Sequence, residues 1–393
     1  MDIGVVGGGI SGLVTSYYLL KNRAVSNVTI FERRYSMPRN HCTGVVSLET
    51  VTRLPLASKF IENIYKNMVF FIHGINFGIE ITSDKYFACK INRVAHEIEL
   101  MRFLNEVGIS INMGCDVYSI NVNGKKYFLV FRKDMKEYIS EGFDRIVVAE
   151  GYPPILSRRY GLKSRSSAFK AIQEVVLLSN SLSDDQIETL YVFISPKLAG
   201  EGFAWLVPID RNRVIIGYSS RYNTSIEGLE KIKLVFKNLL ELSYKSVDKI
   251  FGGVIVQGYP IKTISNGIIG IGDSTAMVKS ISGGGLYAIS VASKIYSEII
   301  DKNSGFPYLY NDLKKLFNVL KTQYIVRKIV WNILKTIKLN VDDFKKVNRF
   351  ISFNTSYLNY DRHESFLPVL LIKFFNFNLK IDKTSIKYRD KSL

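Results

Sequence analysis

Cysteine, acidic residues and long apolar runs are what this chain of 393 residues has little of. Its three cysteines are Cys42, Cys89 and Cys115. Their spacing matches no metal-ligand pattern and an odd number leaves one over, which argues against a zinc module and a disulfide-stapled fold and for a reducing compartment. No apolar run reaches the roughly eighteen residues that a membrane-spanning helix needs. The first strand begins almost at Met1 and leaves no room for a leader, so a cytoplasmic protein is expected. Acids number 35 against 53 Lys and Arg, a formal net charge of +18 that calls for an anionic partner. No nucleic-acid module stands along the chain and the bases are spread. The excess is clearest from residue 301 onward, with 18 Lys and Arg against 8 Asp and Glu, which ranks lipid or lipid phosphate above nucleic acid. A second dinucleotide fingerprint is absent, which argues against a separate nicotinamide domain.

What is present is a globular composition, 47% hydrophobic and 22% charged, in a chain long enough for two or three domains. Residues 3–32 organise the rest. IGVV reads as a buried strand, Gly7, Gly9 and Gly12 form G-x-G-x-x-G with Ser11 inside it, LVTSYYLL is amphipathic, and VTIF leads into Glu32. The first glycine permits the tight turn, the second lets the backbone approach a pyrophosphate, and the third lets helix and strand pack closely. The helix N-terminus supplies unpaired N–H groups for the phosphates, and Glu32 stands where a carboxylate accepts ribose hydroxyls. On these residues alone the ligand is NAD or FAD.

Downstream, residues 33–47 form a polar loop that would pass over such a ligand, with Cys42 inside it; a small buried hydrophobe is the plainer reading of that cysteine. Residues 48–66 read as helical and peripheral, and 69–90 as strands of an inserted sheet. A helix over 92–107 would bury Ile98, Met101, Leu104 and Val107 on one face. Arg93 opens it against the helix dipole, which suits either a nearby anion or a solvated surface arginine. His96 has no partner at metal spacing and reads as a packing or surface residue; no metal site is expected. Residues 108–150 read as strand, meander and strand, and 168–262 as an antiparallel sheet with a covering helix near 226–242, suited to shaping an apolar pocket. A buried strand then runs into Gly272-Asp273, and Gly283-Gly284-Gly285 open a long helix. Three glycines there suit a ligand pressed against bare backbone N–H groups, or a flexible loop. The region from Tyr308 reads as helical, apolar and basic, able to cap a pocket, lie on a membrane or pack on the core.

Taken in order, these motifs resemble the geranylgeranyl reductases, including the archaeal digeranylgeranylglycerophospholipid reductases, within the flavoproteins built like p-hydroxybenzoate hydroxylase. The resemblance runs to about residue 300. Beside the glycine unit it rests on Cys42-Thr43-Gly44-Val45 for the family's Cys-Gly-Glu-Gly and on Arg93-Val94-Ala95-His96-Glu97 for Arg-x-x-Phe-Asp. It rests further on Ala149-Glu150-Gly151 for Ala-Asp-Gly, and on Phe203-Ala204-Trp205-Leu206-Val207-Pro208 with Gly217 for Tyr-x-Trp-x-Phe-Pro and its glycine strand. Gly272-Asp273-Ser274 and Gly283-Gly284-Gly285-Leu286 match Gly-Asp-Ala and Gly-Gly-Gly-Ile. Gly44, Phe203 and Ser280 depart from the family's usual Glu, Tyr and Pro.

The resemblance implies an α/β fold: a Rossmann-type FAD-binding domain (1–66, 91–165 and 263–305), an inserted antiparallel-sheet substrate domain (67–90 and 166–262) and a helical C-terminal region (306–393). It implies FAD as cofactor, held by Gly7, Gly9, Ser11, Gly12, Glu32, Thr43, Arg93, Val117, Asp273, Gly283, Gly284, Gly285 and Leu286. Asp273 would meet the ribityl or pyrophosphate part, Arg93 the pyrophosphate side, Val117 the adenine, and Gly285 and Leu286 the pyrimidine end of the flavin. Cys42 would assist proton delivery or gating, and Phe203, Trp205 and Pro208 would line a prenyl-lipid pocket. The implied activity is saturation of C=C bonds of a prenyl chain by hydride from reduced flavin, with ferredoxin or a similar reduced carrier as donor and peripheral contact with the inner membrane surface. A monooxygenase, an electron-transfer flavoprotein dehydrogenase and a non-catalytic prenyl-lipid binder are the alternatives on the same fold. The iron–sulfur form of the dehydrogenase lacks its cysteine cluster here.

Overall fold

A strand with no polar side chain, Ile-Gly-Val-Val, is stable only when covered on both faces, and the chain places it at the centre of a sheet. In the computed structural model, which describes residues 1–36, 38–73, 77–300, 307–336 and 349–366, Asp2–Val6 pairs in parallel with Asn27–Glu32 on one side and Arg145–Val148 on the other. Ser110–Met113 extends one edge, and Ile268–Gly270 with Ile264–Ser265 the other, giving six strands. Helix Ile10–Leu20 and helix Leu286–Ile299 lie together against this sheet. Small hydroxyl residues let them approach, and Thr15 and Ser293 share a buried hydrogen bond of 3.0 Å. The meander of Asp116–Asn123, Lys126–Lys133 and Lys136–Phe143 forms a separate antiparallel sheet.

The second large sheet has eight strands. In spatial order they are Tyr244–Lys262, Lys163–Leu178, Arg213–Ser220, Ala204–Pro208, Thr189–Ile194, Asn67–Ile72, Phe77–Ser83 and Arg349–Thr355. Alternation sets its two faces. Ala204, Leu206, Val214 and Ile216 pack beneath helix Ile226–Leu240, while Trp205, Val207 and Ile215 point to the opposite side, where helix Pro307–Thr336 lies.

Several sequence expectations change. Residues 48–66 are helical only over Leu48–Arg53 and a 3₁₀ turn at Ala57–Phe60, after which Ile61–Tyr65 is a strand. Ser47 caps the helix at Thr50 N, 2.8 Å away, and Leu54 turns extended ahead of Pro55, as a residue before proline must. Ala88–Ile91 leaves the substrate sheet and pairs with Val45–Ser47 and Ile61–Tyr65. Helix Arg93–Glu106 buries Leu104 and packs Met101 against the core as expected, but the rest of the buried face differs. Arg93, His96, Glu97, Leu100 and Leu104 are buried, whereas Ile98 and Val107 are 45% and 41% exposed. The C-terminal region has its long helix but also a strand, Arg349–Thr355, parallel to Phe77–Ser83 at the sheet edge.

Candidate functional site

One cavity of about 690 Å³ runs from the glycine turn of the first sheet to the inner face of the second. Backbone shapes its first end. Gly7 has φ 106°, and a Cβ there would stand 2.3 Å from Ala149 O. A Cβ on Gly12 would stand 1.9 Å from Gly7 O, so this glycine serves helix–strand packing and does not itself line the cavity. Gly9 sits at the N-cap with no side chain to occupy the first N–H groups of the eleven-residue helix, which face the cavity beside Ser11. Glu32 accepts from Gly8 N at 2.7 Å, from Arg34 N at 2.9 Å and from Arg34 Nε at 2.8 Å. Burial alone would raise its carboxyl, but these donors outweigh it and hold the group below the ordinary range. Val117 lines the same end, next to Cys115.

The middle of the cavity is made by the cysteine loop and the start of helix Arg93–Glu106. Gly44 has φ 87°, and its carbonyl accepts from Ile91 N at 2.9 Å, which ties the loop to the small sheet. Thr43 Oγ1 donates to Gln173 Oε1 at 2.7 Å; Gln173 Nε2 donates to His41 O at 3.3 Å, and Trp205 Nε1 donates to the same Gln173 oxygen at 3.3 Å. Gln173 is therefore the joint between the Cys42 loop and the substrate sheet. Arg93 and Glu97, one helical turn apart, form a buried ion pair, and Arg93 Nε has no hydrogen-bond partner among the described residues. The electrostatic neighbours of Arg93 include Cys42 and Asp273 as well as Glu97. Asp273 is pushed up to about 6 by burial, offset in part by Arg93.

Gly283 has φ 76°; its N–H donates to Lys279 O at 2.7 Å, and Lys279 N donates to Gly284 O at 2.9 Å. Helix Leu286–Ile299 then starts with no side-chain cap at Gly285, and residues Gly283 to Leu286 line the cavity. Sequence reasoning missed what stands beside them. Lys279 is buried and donates to Asp361 Oδ1 at 2.8 Å and Tyr360 O at 3.1 Å, while Ser47 and Thr50 donate to Asp361 Oδ2. Lys279 lies 4.5 Å from the Tyr360 ring centroid. His363 packs on Tyr360 and is held well below the usual imidazole range by burial. These residues come from both ends of the chain, and a lone Lys, Asp or His in sequence carries no sign of so distant a partner.

The far end is apolar. Phe203, Trp205 and Val207 line it from one strand and its approach, and Arg327, Val330, Trp331 and Leu334 from the long helix. Pro208, expected in this wall, does not line it. Strand parity turns it away, and its carbonyl accepts from Tyr65 Oη and Asn63 Nδ2 instead. Cys89 and Cys115 are buried away from any disulfide; burial pushes the Cys89 thiol up to about 12. His96 Nε2 pairs with Pro55 O at 2.7 Å. Among the described residues no three His, Cys, Asp or Glu side chains converge as a metal site, and no helix is long and apolar enough to cross a membrane.

The pattern of the NAD(P)-binding Rossmann-like domain matches residues 5–46. An uncharacterized protein of Methanocaldococcus jannaschii is 24% identical over 324 residues, 80% of this chain and 77% of its own length. A digeranylgeranylglycerophospholipid reductase of the same organism is 22% identical over 310 residues, 77% of each. Among solved structures, a geranylgeranyl bacteriochlorophyll reductase-like protein from Thermoplasma acidophilum superposes with a TM-score of 0.75 at 15% identity, covering 97% of this chain and 98% of that one. The family resemblance read from the motifs is thus matched by relatives along most of the chain, and the α/β architecture by a full-length structural neighbour.

Proposed function

We propose that this relative of the geranylgeranyl reductases is an FAD-dependent oxidoreductase that saturates C=C bonds of a prenyl lipid. The observation that carries the proposal is the continuity of the cavity: the same space is walled by a glycine cradle at one end and by aromatic and aliphatic side chains at the other. The cradle fits a dinucleotide, because bare helix N-termini at Gly9 and Gly285 and methyl-intolerant backbone at Gly7 leave room and N–H donors where an anion needs them. Gly7, Gly9, Ser11 and Arg93 would hold the pyrophosphate side, Glu32 the ribose, Val117 the adenine, Thr43 the loop over the flavin, Asp273 the ribityl chain, and Gly283 to Leu286 the pyrimidine end. When bound, FAD supplies hydride-transfer chemistry.

The chain's own residues supply position, dryness and a proton. An isolated alkene has no carbonyl to polarise, so its carbons must be held in place in a space that excludes water, the task of Phe203, Trp205, Trp331 and Leu334. Cys42, half-buried on the cavity wall, holds at Sγ the proton required by the second alkene carbon. Gln173 fixes that loop against the sheet that carries Trp205. A reduced carrier such as ferredoxin is the donor in this reading, and the basic C-terminal region brings the protein to an inner membrane surface.

Anaerobic reduction of the FAD-loaded protein followed by mass analysis of added geranylgeranyl lipid tests the proposal. A gain of two hydrogens per reduced double bond is expected. Unchanged lipid, or a hydroxylated product formed only with O2, would overturn it.

A further inference from the structure

Burying a guanidinium without a carboxylate is unfavourable, because desolvation of the charge goes uncompensated. Arg327, on the long helix, is only 7% exposed and lines the apolar end of the cavity. Its one hydrogen bond among the described residues goes from Nη2 to the backbone oxygen of Glu201, and its guanidinium lies 4.7 Å from the centroid of the Phe169 ring. Among the described residues no carboxylate pairs with it. The carboxylate of Glu201 is already taken by Lys335 at 2.7 Å and Arg221 at 3.3 Å, both about half exposed. Three cations thus surround one acid, and the innermost of them faces an apolar cavity. Burial pushes the Arg327 guanidinium down to about 10, which leaves it charged at neutral pH.

We infer that Arg327, with Arg221 and Lys335 outside it, binds the phosphate of a prenyl lipid whose chain fills the cavity. The inference rests on the prenyl-lipid reading above and adds to it a head-group site. A guanidinium suits this task because its planar fork gives paired N–H donors to two phosphate oxygens, and a low-dielectric wall strengthens both. The aromatic ring beneath it holds the fork in plane without consuming a donor. Excess charge of this group, two positive after Glu201 is counted, matches a phosphate monoester in sign and size.

Equilibrium binding to the FAD-loaded protein tests the site without turnover. The two tryptophans of the chain, Trp205 and Trp331, both line the cavity, so their fluorescence reports occupancy. The probes are geranylgeranyl phosphate, geranylgeraniol and inorganic phosphate. The phosphate ester is expected to bind about tenfold or more tighter than the alcohol, and Arg327→Met to abolish that margin while leaving the alcohol within about twofold. Arg327→Lys should retain part of it. Arg221→Ser and Lys335→Ser, at exposed positions where folding is not at risk, should each weaken the ester alone by about threefold, and added salt should do the same. Equal binding of ester and alcohol to the unmodified protein overturns the inference, as does an equal loss of both on Arg327→Met. Inorganic phosphate binding as tightly as the ester would assign the site to a free anion and overturn it too. If ester and alcohol bind as expected but neither is saturated by reduced enzyme, the reductase reading fails while the head-group site stands; if neither binds, both fall.

Discussion

At the glycine end the cavity wall is largely backbone, held by close approaches such as that of Gly7 to Ala149 O; at the apolar end it is side chains gathered from strands and a helix far apart in the chain. A backbone wall is defined to a fraction of an ångström, since a methyl group on Gly7 would stand 2.3 Å from the Ala149 carbonyl oxygen. A side-chain wall is defined by volume and by charge balance, and tolerates exchange of shape far better than loss of a partner. On the function proposed above, the difference separates what the site must keep to hold a dinucleotide from what it is free to change when the second ligand changes.

Gly12→Ala should be the most damaging single change. The close approach of helix and strand cannot survive it, and a loss of about 4 kcal/mol or more is expected, together with loss of bound FAD, read by urea unfolding and by flavin per chain. Trp331→Phe, in the other wall, should cost about 1–2 kcal/mol. Comparable costs for the two would break the contrast. Lys279→Met strips the buried Asp361 of its cation and should cost about 3–5 kcal/mol, whereas adding Asp361→Asn should restore much of the stability, a test by double-mutant unfolding.

Asp273 sharpens the comparison through pH. Its folded-state pKa of about 6 lies above the ordinary 3.8, so the folded protein binds this proton more tightly than the unfolded chain. The contribution to stability is therefore most favourable below the ordinary value, falls as pH rises from about 4 to about 6, and stays low above that range. Asp273→Asn should flatten this slope and stabilise the cofactor-free protein at pH 7 by about 2–3 kcal/mol, checked by thermal melts across that range. Thr43→Val removes one neutral hydrogen bond to Gln173, which keeps Trp205 as a donor, so about 1 kcal/mol is expected.

The glycine cradle was legible because its determinants are local: three glycines, a strand and an acid in one short stretch. The Cys42 loop, Arg93 and the Gly283 turn stood out from their residues and took their roles, with Asp273, from likeness to family motifs, and all of them line the cavity. Pro208 was misjudged because a motif names consecutive residues, whereas a strand sends alternate ones to opposite sides. The buried face of helix 93–106 was read too far round, with Ile98 and Val107 in place of Arg93 and Glu97, because those two each look like surface residues; only as a pair do they belong inside. Lys279, Asp361 and Arg327 left no trace, since a buried charge declares itself through its partner, and theirs stand 82 and 126 residues away. Trp331 did carry a signal, being one of the chain's two tryptophans and standing in an apolar, basic helical stretch.

The hydrogen bond from Ser47 to Asp361 joins residues 314 positions apart. During synthesis the glycine cradle has all its strands well before residue 361 leaves the ribosome, but the wall behind Lys279 does not exist until then. The segment that carries Asp361 is thus a lintel set over a doorway already built: its buried ion pair with Lys279 ties a late stretch of chain to the glycine turn that lines the cavity.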